Sequence, residues 1–95
     1  MVFVINKLKY DTDKMTLVSE KCLYAYDTYF INLKTKYVGK NVKLWKSAKG
    51  NWLLTYEDPY KNKYGKAIDK EEAANLLLEY DLEKYEEIFG ELEEA

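Results

Sequence analysis

The sequence predicts an α+β fold: an antiparallel sheet of about four to five strands, followed by two short C-terminal helices packed on it. Short runs of apolar, aromatic and β-branched residues with two-residue alternation fill positions 1–68, a pattern typical of strands. Positions 69–95 place leucines and aromatics at helical spacing after two aspartates. Strands that precede a group of helices indicate the α+β class. A length of 95 residues predicts a single domain over 1–95, with a sheet part (1–68) and an acidic helical part (69–95).

The N-terminal residues predict two strands and a turn. A short apolar run, then Leu8 and Tyr10 alternating with lysines, predicts a first strand over 2–10. The polar run 11–13 predicts a turn, because short polar side chains bond to the local backbone. A second strand is expected over 15–26, interrupted near 19–21.

A third strand is predicted over 29–34, where Tyr29, Ile31 and Leu33 alternate with Phe30, Asn32 and Lys34. The lysine-rich stretch 34–41 is expected to be a connection that turns at Gly39.

The clearest strand pair is a β-hairpin over 41–57. Its arms flank a polar segment that contains Gly50-Asn51, which is typical of a tight turn. Apolar residues occupy alternating positions of both arms and also positions between them: Val42, Leu44, Trp45, Trp52, Leu53, Leu54 and Tyr56. The hairpin is therefore expected to be central or covered on both sides.

The C-terminal part predicts a loop, a short strand and two helices. Residues 57–65 hold the only proline and predict an exposed loop, and 66–68 predict one short strand. Asp69 is a favourable N-cap for a helix that ends at about Tyr80, and Asp81 is a favourable N-cap for a second helix. The second helix is expected to end at Gly90, before a frayed tail. Its predicted apolar face holds Leu82, Tyr85, Ile88 and Phe89.

Composition argues against most enzymes, metal sites and cofactor sites. The chain has no histidine, the commonest general base and zinc ligand, and a single cysteine, Cys22. A lone thiol without an imidazole partner is expected to be buried and inert. The paired glutamates of the helical part follow a solvent-facing pattern, and neither a phosphate loop nor a metal-spaced cluster occurs. The sequence thus predicts a non-enzyme without cofactor, and the absence of a membrane-length apolar span or a signal peptide favours a cytoplasmic protein.

Charge is strongly polarised along the chain. Residues 1–68 hold thirteen lysines and six acids, whereas residues 69–95 hold eleven acids and two lysines. Such an imbalance predicts two candidate surfaces for charged partners. The first, for a protein partner, is acidic: Glu79, Asp81, Glu83, Glu86, Glu87 and Glu91. The second, an alternative face for nucleic acid, combines lysines with an aromatic ring: Lys36, Lys40, Lys43, Trp45, Lys46 and Lys49.

Four segments in order carry a family resemblance: 9–13 (KYDTD), 44–54 (LWKSAKGNWLL), 66–73 (KAIDKEEA) and 84–90 (KYEEIFG). Together they resemble a group of small proteins from phages, plasmids and integrative elements of Gram-positive bacteria, which some anti-CRISPR proteins also resemble. The chain departs from that group in its lysine- and tyrosine-rich region 23–40, in Asp58-Pro59-Tyr60 after the hairpin, and at Asp69.

The resemblance implies a setting and supplies no catalytic residues. We expect a binding protein from a mobile element that inhibits a host defence complex, with a CRISPR effector as the favoured target, by occluding a surface that nucleic acid or a partner subunit needs. Two alternatives stay open. One is a small nucleic-acid-binding module that uses the basic, aromatic hairpin, and the other is a protein-interaction domain of a different kind.

Overall fold

The computed structural model describes residues 1–31 and 33–95 and confirms the α+β class, with antiparallel sheets and two C-terminal helices. The strands are β1 Val2–Ile5, β2 Leu8–Asp11, β3 Thr16–Ser19, β4 Ala25–Phe30, β5 Leu33–Val38, β6 Lys40–Lys46, β7 Trp52–Glu57 and β8 Lys63–Ile68. The helices are α1 Lys70–Tyr80 and α2 Leu82–Phe89, and a 3₁₀ turn spans Thr12–Lys14.

The main sheet has four antiparallel strands in the order β3-β6-β7-β8, and this number of strands agrees with the prediction. The predicted hairpin is confirmed as β6 and β7, in which Leu44 lies opposite Leu54 and Trp45 opposite Leu53. Both strands occupy inner positions of the sheet, so the prediction that this hairpin is central is also confirmed. Gly50 closes the turn with a φ of 86°, a left-handed conformation that glycine adopts without steric cost.

One face of the main sheet packs against both helices and forms the larger core. Leu44, Trp52 and Leu54 of the sheet join Ala73 and Leu77 of α1 in a single buried cluster. From α2, Tyr85, Ile88 and Phe89 pack against this cluster, and the Phe89 ring stacks on Trp52 with centroids 6.0 Å apart. Leu82, predicted on the same face, is instead about half exposed. The helices therefore turn their apolar sides to the sheet and their acids to solvent.

The opposite face of the sheet is covered by the β1–β2 hairpin. Leu53 projects to this side because successive strand residues alternate, and it is completely buried. Tyr10 of β2 is buried as well. The Phe3 ring lies directly over Gly65 of β8, where an added Cβ would stand 2.7 Å from the Phe3 Cγ. Both faces of β6–β7 are thus covered, which explains the apolar residues on both faces of its sequence.

Predicted strand boundaries in the N-terminal half are partly wrong. Residues 2–10 form two paired strands, because Asn6 and Lys7 adopt φ angles of 51° and 65° and reverse the chain. Positive φ at both central residues is the signature of a two-residue hairpin turn, and asparagine tolerates it. The polar run 11–13 does form a turn, in which the Asp11 side chain accepts from the Asp13 N–H at 3.1 Å. Residues 15–26 are split, with β3 ending at Ser19 and β4 starting at Ala25.

The single strand predicted over 29–34 is also wrong, since the chain reverses there between β4 and β5. Ile31 adopts a φ of 48°, and Asn32, which the prediction included, lies outside the described residues. The predicted connection 34–41 is mostly strand, and Gly39 bonds back to the Tyr24 carbonyl at 2.7 Å without a positive φ. The β4–β5 pair forms a two-stranded sheet of its own, referred to below as the ribbon.

The C-terminal predictions agree closely with the structure. The Asp69 side chain accepts from the Glu72 N–H at 2.8 Å, and the Asp81 side chain accepts from the Lys84 N–H at 3.4 Å, so both N-caps are confirmed. Gly90 follows α2 with a φ of 100°. The exposed loop is shorter than predicted, because β8 already begins at Lys63. Among the described residues, no helix combines the length and apolarity needed to cross a bilayer.

The contact between Phe3 and Gly65 predicts a large effect of a single methyl group. We expect Gly65→Ala to lower the free energy of unfolding by about 1–3 kcal/mol, because the new Cβ would overlap the Phe3 ring. Urea unfolding followed by tryptophan fluorescence measures the loss. In the double variant Phe3→Leu/Gly65→Ala the loss should be smaller than the sum of the two single losses. Strictly additive losses would contradict a direct clash.

Candidate functional site

The predicted acidic residues lie on the helical layer, but they serve different purposes. Glu79, Glu83, Glu87 and Glu91 are exposed. Glu83 and Glu87 are four residues apart on α2, so they share one line on its surface. They flank shallow concavities between α2 and β3, whereas Glu79 lines a separate one beside β8. The acids therefore border both flanks of the helix pair and do not form one compact patch.

Two of the predicted acids are partly used within the fold. Glu86 is half-buried, and its carboxylate accepts from the Leu92 N–H at 3.4 Å. Glu87 pairs with the Lys84 ammonium at 3.2 Å. Because this pair is exposed, it contributes little to stability and leaves the Glu87 charge near solvent.

Asp81 does not belong to the exposed acidic surface. Its side chain is buried, accepts a hydrogen bond of 2.6 Å from the Ser19 hydroxyl and caps α2. The Ser19 oxygen in turn accepts from the Lys21 N–H at 3.1 Å. This chain of bonds ties the end of β3 to the junction of α1 and α2. We therefore correct the prediction for Asp81, which is a structural residue here.

The residues of the predicted nucleic-acid face do not come together. On β6, Lys43 and Trp45 project to the side covered by β1–β2, whereas Lys46 projects to the helical side, where its ammonium lies 5.5 Å from the Trp52 ring centroid. Lys43 also lies 3.9 Å from the Glu20 carboxylate. The remaining three are exposed at separate places, Lys36 on β5, Lys40 at the start of β6 and Lys49 in the turn before β7.

The two tryptophans act on opposite faces of the sheet. Trp52 is buried in the helical core, whereas Trp45 is half-buried and donates its Nε1–H to the Thr55 hydroxyl at 2.9 Å. Trp45 lines a concavity of about 210 Å³ together with Phe3 and Lys63. Its polar lining groups already bond to one another, as in the 2.7 Å bond from the Asn41 amide to the Glu57 carboxylate. Trp45 therefore belongs mainly to the scaffold.

The ribbon was not predicted from the sequence. Large apolar side chains project from it into solvent, with exposed fractions of 73% for Tyr29, 77% for Ile31, 68% for Leu33 and 61% for Val38. Tyr29, Ile31 and Leu33 lie near one another at the outer end of the ribbon, and Val38 lies at its base. Groups of exposed apolar side chains occur at contact surfaces of soluble proteins. The composition of residues 24–31 could have indicated the ribbon. This aromatic and β-branched run is longer than expected for one half-buried strand of the predicted sheet.

A cluster of tyrosines fixes the base of the ribbon to the main sheet. The Tyr26 ring lies 5.2 Å from Tyr56 and 6.0 Å from Tyr37, and Tyr56 lies 4.7 Å from Tyr24 and 5.4 Å from Tyr64. Such ring distances are favourable for aromatic pairs. A Cβ added at Gly39 would stand 3.1 Å from the Tyr56 Cβ, so the backbone here is closely packed as well. The ribbon is thereby held in one orientation at its base.

The surroundings of the tyrosine cluster shift the pKa values of several of its side chains. Burial raises the pKa of the Tyr26 phenol, and the nearby Asp58 carboxylate adds to the shift. The Tyr26 hydroxyl is buried and has no hydrogen-bond partner within the described part of the chain. The hydrogen bond from Tyr64 to Asp58, at 3.1 Å, raises the pKa of the Tyr64 phenol. For Asp58, burial acts to raise the pKa, but its bonds with Asn62, Tyr60 and Tyr64 outweigh burial and leave the pKa below its ordinary value.

Groups that could perform chemistry are few. In residues 1–31 and 33–95, no cluster of three or more Cys, Asp or Glu side chains is placed to hold a metal ion. Cys22 is buried, as predicted, and it lies beside Ser19. Burial raises the pKa of its thiol. A thiol with a raised pKa is a weak nucleophile at neutral pH.

Comparisons with protein-family models, with curated protein sequences and with solved structures returned no match to this chain.

Asp81 predicts a graded loss of stability. We expect Asp81→Ala to lower the free energy of unfolding by about 2–3 kcal/mol, because it removes a helix cap and leaves the buried Ser19 hydroxyl without its partner. The two bonds go to different carboxylate oxygens, so Asp81→Asn should cost less than Asp81→Ala because its amide oxygen can still accept one of them. Urea unfolding measures both variants. Equal losses for the two would contradict the assigned role of the carboxyl oxygens.

The tyrosine cluster predicts a loss of stability at alkaline pH. A folded pKa above the ordinary value of 10.0 means that Tyr26 contributes stability that is fully present below pH 10.0 and is lost as pH rises through the folded pKa. Urea midpoints should therefore fall more steeply above that pH for the parent chain than for Tyr26→Phe. Phenolate absorbance of the urea-unfolded chain gives the reference titration. The same pH dependence in both proteins would count against the shift.

Proposed function

We propose that this chain is a non-enzymatic binding protein that docks onto a basic surface of a larger complex. The contact would be made by its acidic layer, which is the outward side of α1 and α2. In the setting that the family resemblance implies, the chain comes from a mobile element and the complex is a host defence effector, with a CRISPR effector as the favoured target. Binding would occlude a surface that nucleic acid or a partner subunit needs.

The observation that carries this proposal is the placement of both acidic helices on one face of the sheet. α1 and α2 pack their apolar sides against the same core, so most of their acids point away from it. Lys70 and Lys84 are the only lysines among residues 69–95, against eleven acids. A layer with such an excess of negative charge accelerates encounter with a positively charged surface.

The segregation of charge also supports a protein partner over nucleic acid. The acidic layer would repel phosphates, and the six residues of the alternative nucleic-acid face are spread over two faces of the sheet and its edges. Binding to nucleic acid is one of the outcomes that the test distinguishes.

The test combines binding and activity. Purified CRISPR effectors loaded with guide RNA are captured on the tagged chain, and their DNA cleavage is then measured with the chain added in excess. We expect capture of at least one effector and inhibition of its cleavage. Capture should weaken with rising salt, because surface charges are screened.

A charge-matched pair of variants locates the contact. Glu79→Gln/Glu83→Gln removes two exposed charges of the acidic layer and should slow association roughly ten-fold or more, given how strongly charge steers encounter. Asp13→Asn/Asp27→Asn removes the same charge in the 3₁₀ turn and on the ribbon, away from the layer, and should leave association nearly unchanged. Equal effects of the two variants would refute docking through the layer. Absence of capture with undiminished cleavage for every effector, or tight salt-dependent binding to free DNA or RNA, would overturn the proposal itself.

A further inference from the structure

Within the described residues, both outer edges of the ribbon are open. β4 pairs with β5 alone, and within the described residues its other edge has no strand beside it. A two-stranded hairpin is marginally stable in water unless further strands or a helix cover it. The tyrosine cluster supports only the base, while Tyr29, Ile31 and Leu33 remain exposed further out. The ribbon therefore has both an unpaired backbone edge and apolar side chains without cover.

The two edges of the ribbon differ in their capacity to pair. Exposed edges are usually protected by lysine, proline or a bulge. On β5, Lys34 and Lys36 provide this protection. On β4, which reads AYDTYF, none of these devices occurs and most side chains are aromatic or β-branched. Its one charged residue, Asp27, pairs with Lys34 across the ribbon at 3.4 Å.

The register of the ribbon identifies which β4 groups face outward. Phe30 pairs with Leu33 across a two-residue connection, and the pair that flanks such a connection exchanges backbone hydrogen bonds. In an antiparallel pair of strands, hydrogen-bonded and non-hydrogen-bonded residue pairs alternate from there on. The bonded pairs are then Phe30 with Leu33, Thr28 with Thr35, and Tyr26 with Tyr37. The N–H and C=O groups of Ala25, Asp27 and Tyr29 consequently point away from β5 and are available to a new strand.

We propose that the open edge of β4 pairs antiparallel with β4 of a second copy of this chain, with Thr28 on the two-fold axis. The two ribbons then form a continuous four-stranded sheet. In this register Asp27 of each copy exchanges backbone hydrogen bonds with Tyr29 of the other, which uses the outward-facing groups of both strands.

Charge favours this register over an axis at residue 27 and allows two copies to approach each other. A two-fold axis at residue 27 would set two Asp27 carboxylates against each other, whereas an axis at residue 28 sets threonine against threonine, a favourable cross-strand pair. β4 carries no other charge, and the ribbon as a whole holds Asp27, Lys34 and Lys36, so two ribbons meet with little repulsion. The acidic layer is made of other residues, so this inference does not depend on the proposed function.

The first measurement is the mass of the full chain as a function of concentration, by sedimentation equilibrium. A single strand pair buries less surface than a standard interface, so we expect a dissociation constant on the order of 10 μM. The weight-average mass should rise from 11.3 kDa toward twice that value. A mass that stays at the monomer value at concentrations far above this constant would overturn the proposal.

A charge-pair rescue then tests the register. Thr28→Lys and Thr28→Glu each place like charges face to face at the axis, so each variant alone should be monomeric. An equimolar mixture should dimerise again, because lysine then meets glutamate across the axis. Thr35→Lys, the same change on the neighbouring strand of the same ribbon, should still dimerise. Dimers of either Thr28 variant alone, or a mixture that stays monomeric, would overturn the Thr28-centred pairing.

Discussion

The constraint on which this structure depends is that both faces of the central β6–β7 pair must be covered. Leu44 and Leu54 lie opposite each other on one face, and Leu53 lies on the other; all three are essentially inaccessible to water. Each buried leucine stabilises the fold by roughly 1.5–3 kcal/mol. One layer of secondary structure cannot cover both sides, so the helices take one face and the β1–β2 hairpin takes the other.

This division of the sheet determines where function can reside. The helices commit their apolar sides to the core and present acids outward, while the β1–β2 hairpin fills the other face and leaves Trp45 only half-exposed. Several of the most exposed large apolar side chains, Tyr29, Ile31 and Leu33, lie on the ribbon, whose base is held by the tyrosine cluster around Tyr26 and Tyr56. The excess of acids is on the helices and the open strand edge is on the ribbon, so the two proposals concern different contacts of one molecule.

Several acidic residues are used by the fold, including one that was predicted for the partner surface. Asp81 is the clearest case, because its carboxylate bonds to Ser19, which lies sixty-two positions earlier in the chain. Asp58 similarly organises the loop before β8 through Asn62 and Tyr64. A sequence pattern identifies the charge but not its partner, so Asp81 was assigned to the acidic surface together with Glu79 and Glu83, which do face solvent.

By itself, the sequence determined the α+β class, the central hairpin, both helix N-caps at Asp69 and Asp81 and the end of α2 at Gly90. These features depend on residues a few positions apart, and local hydrogen bonding and backbone conformation specify them. Only the tertiary structure decided that residues 2–10 and 25–38 each fold back as hairpins. Two-residue alternation is the same in one long strand and in two short paired strands. Contacts between residues distant in sequence therefore determine whether such a segment is one strand or a hairpin. Phe3 packing on Gly65 and Tyr26 packing on Tyr56 are contacts of this kind, and they placed the two hairpins on the body of the protein.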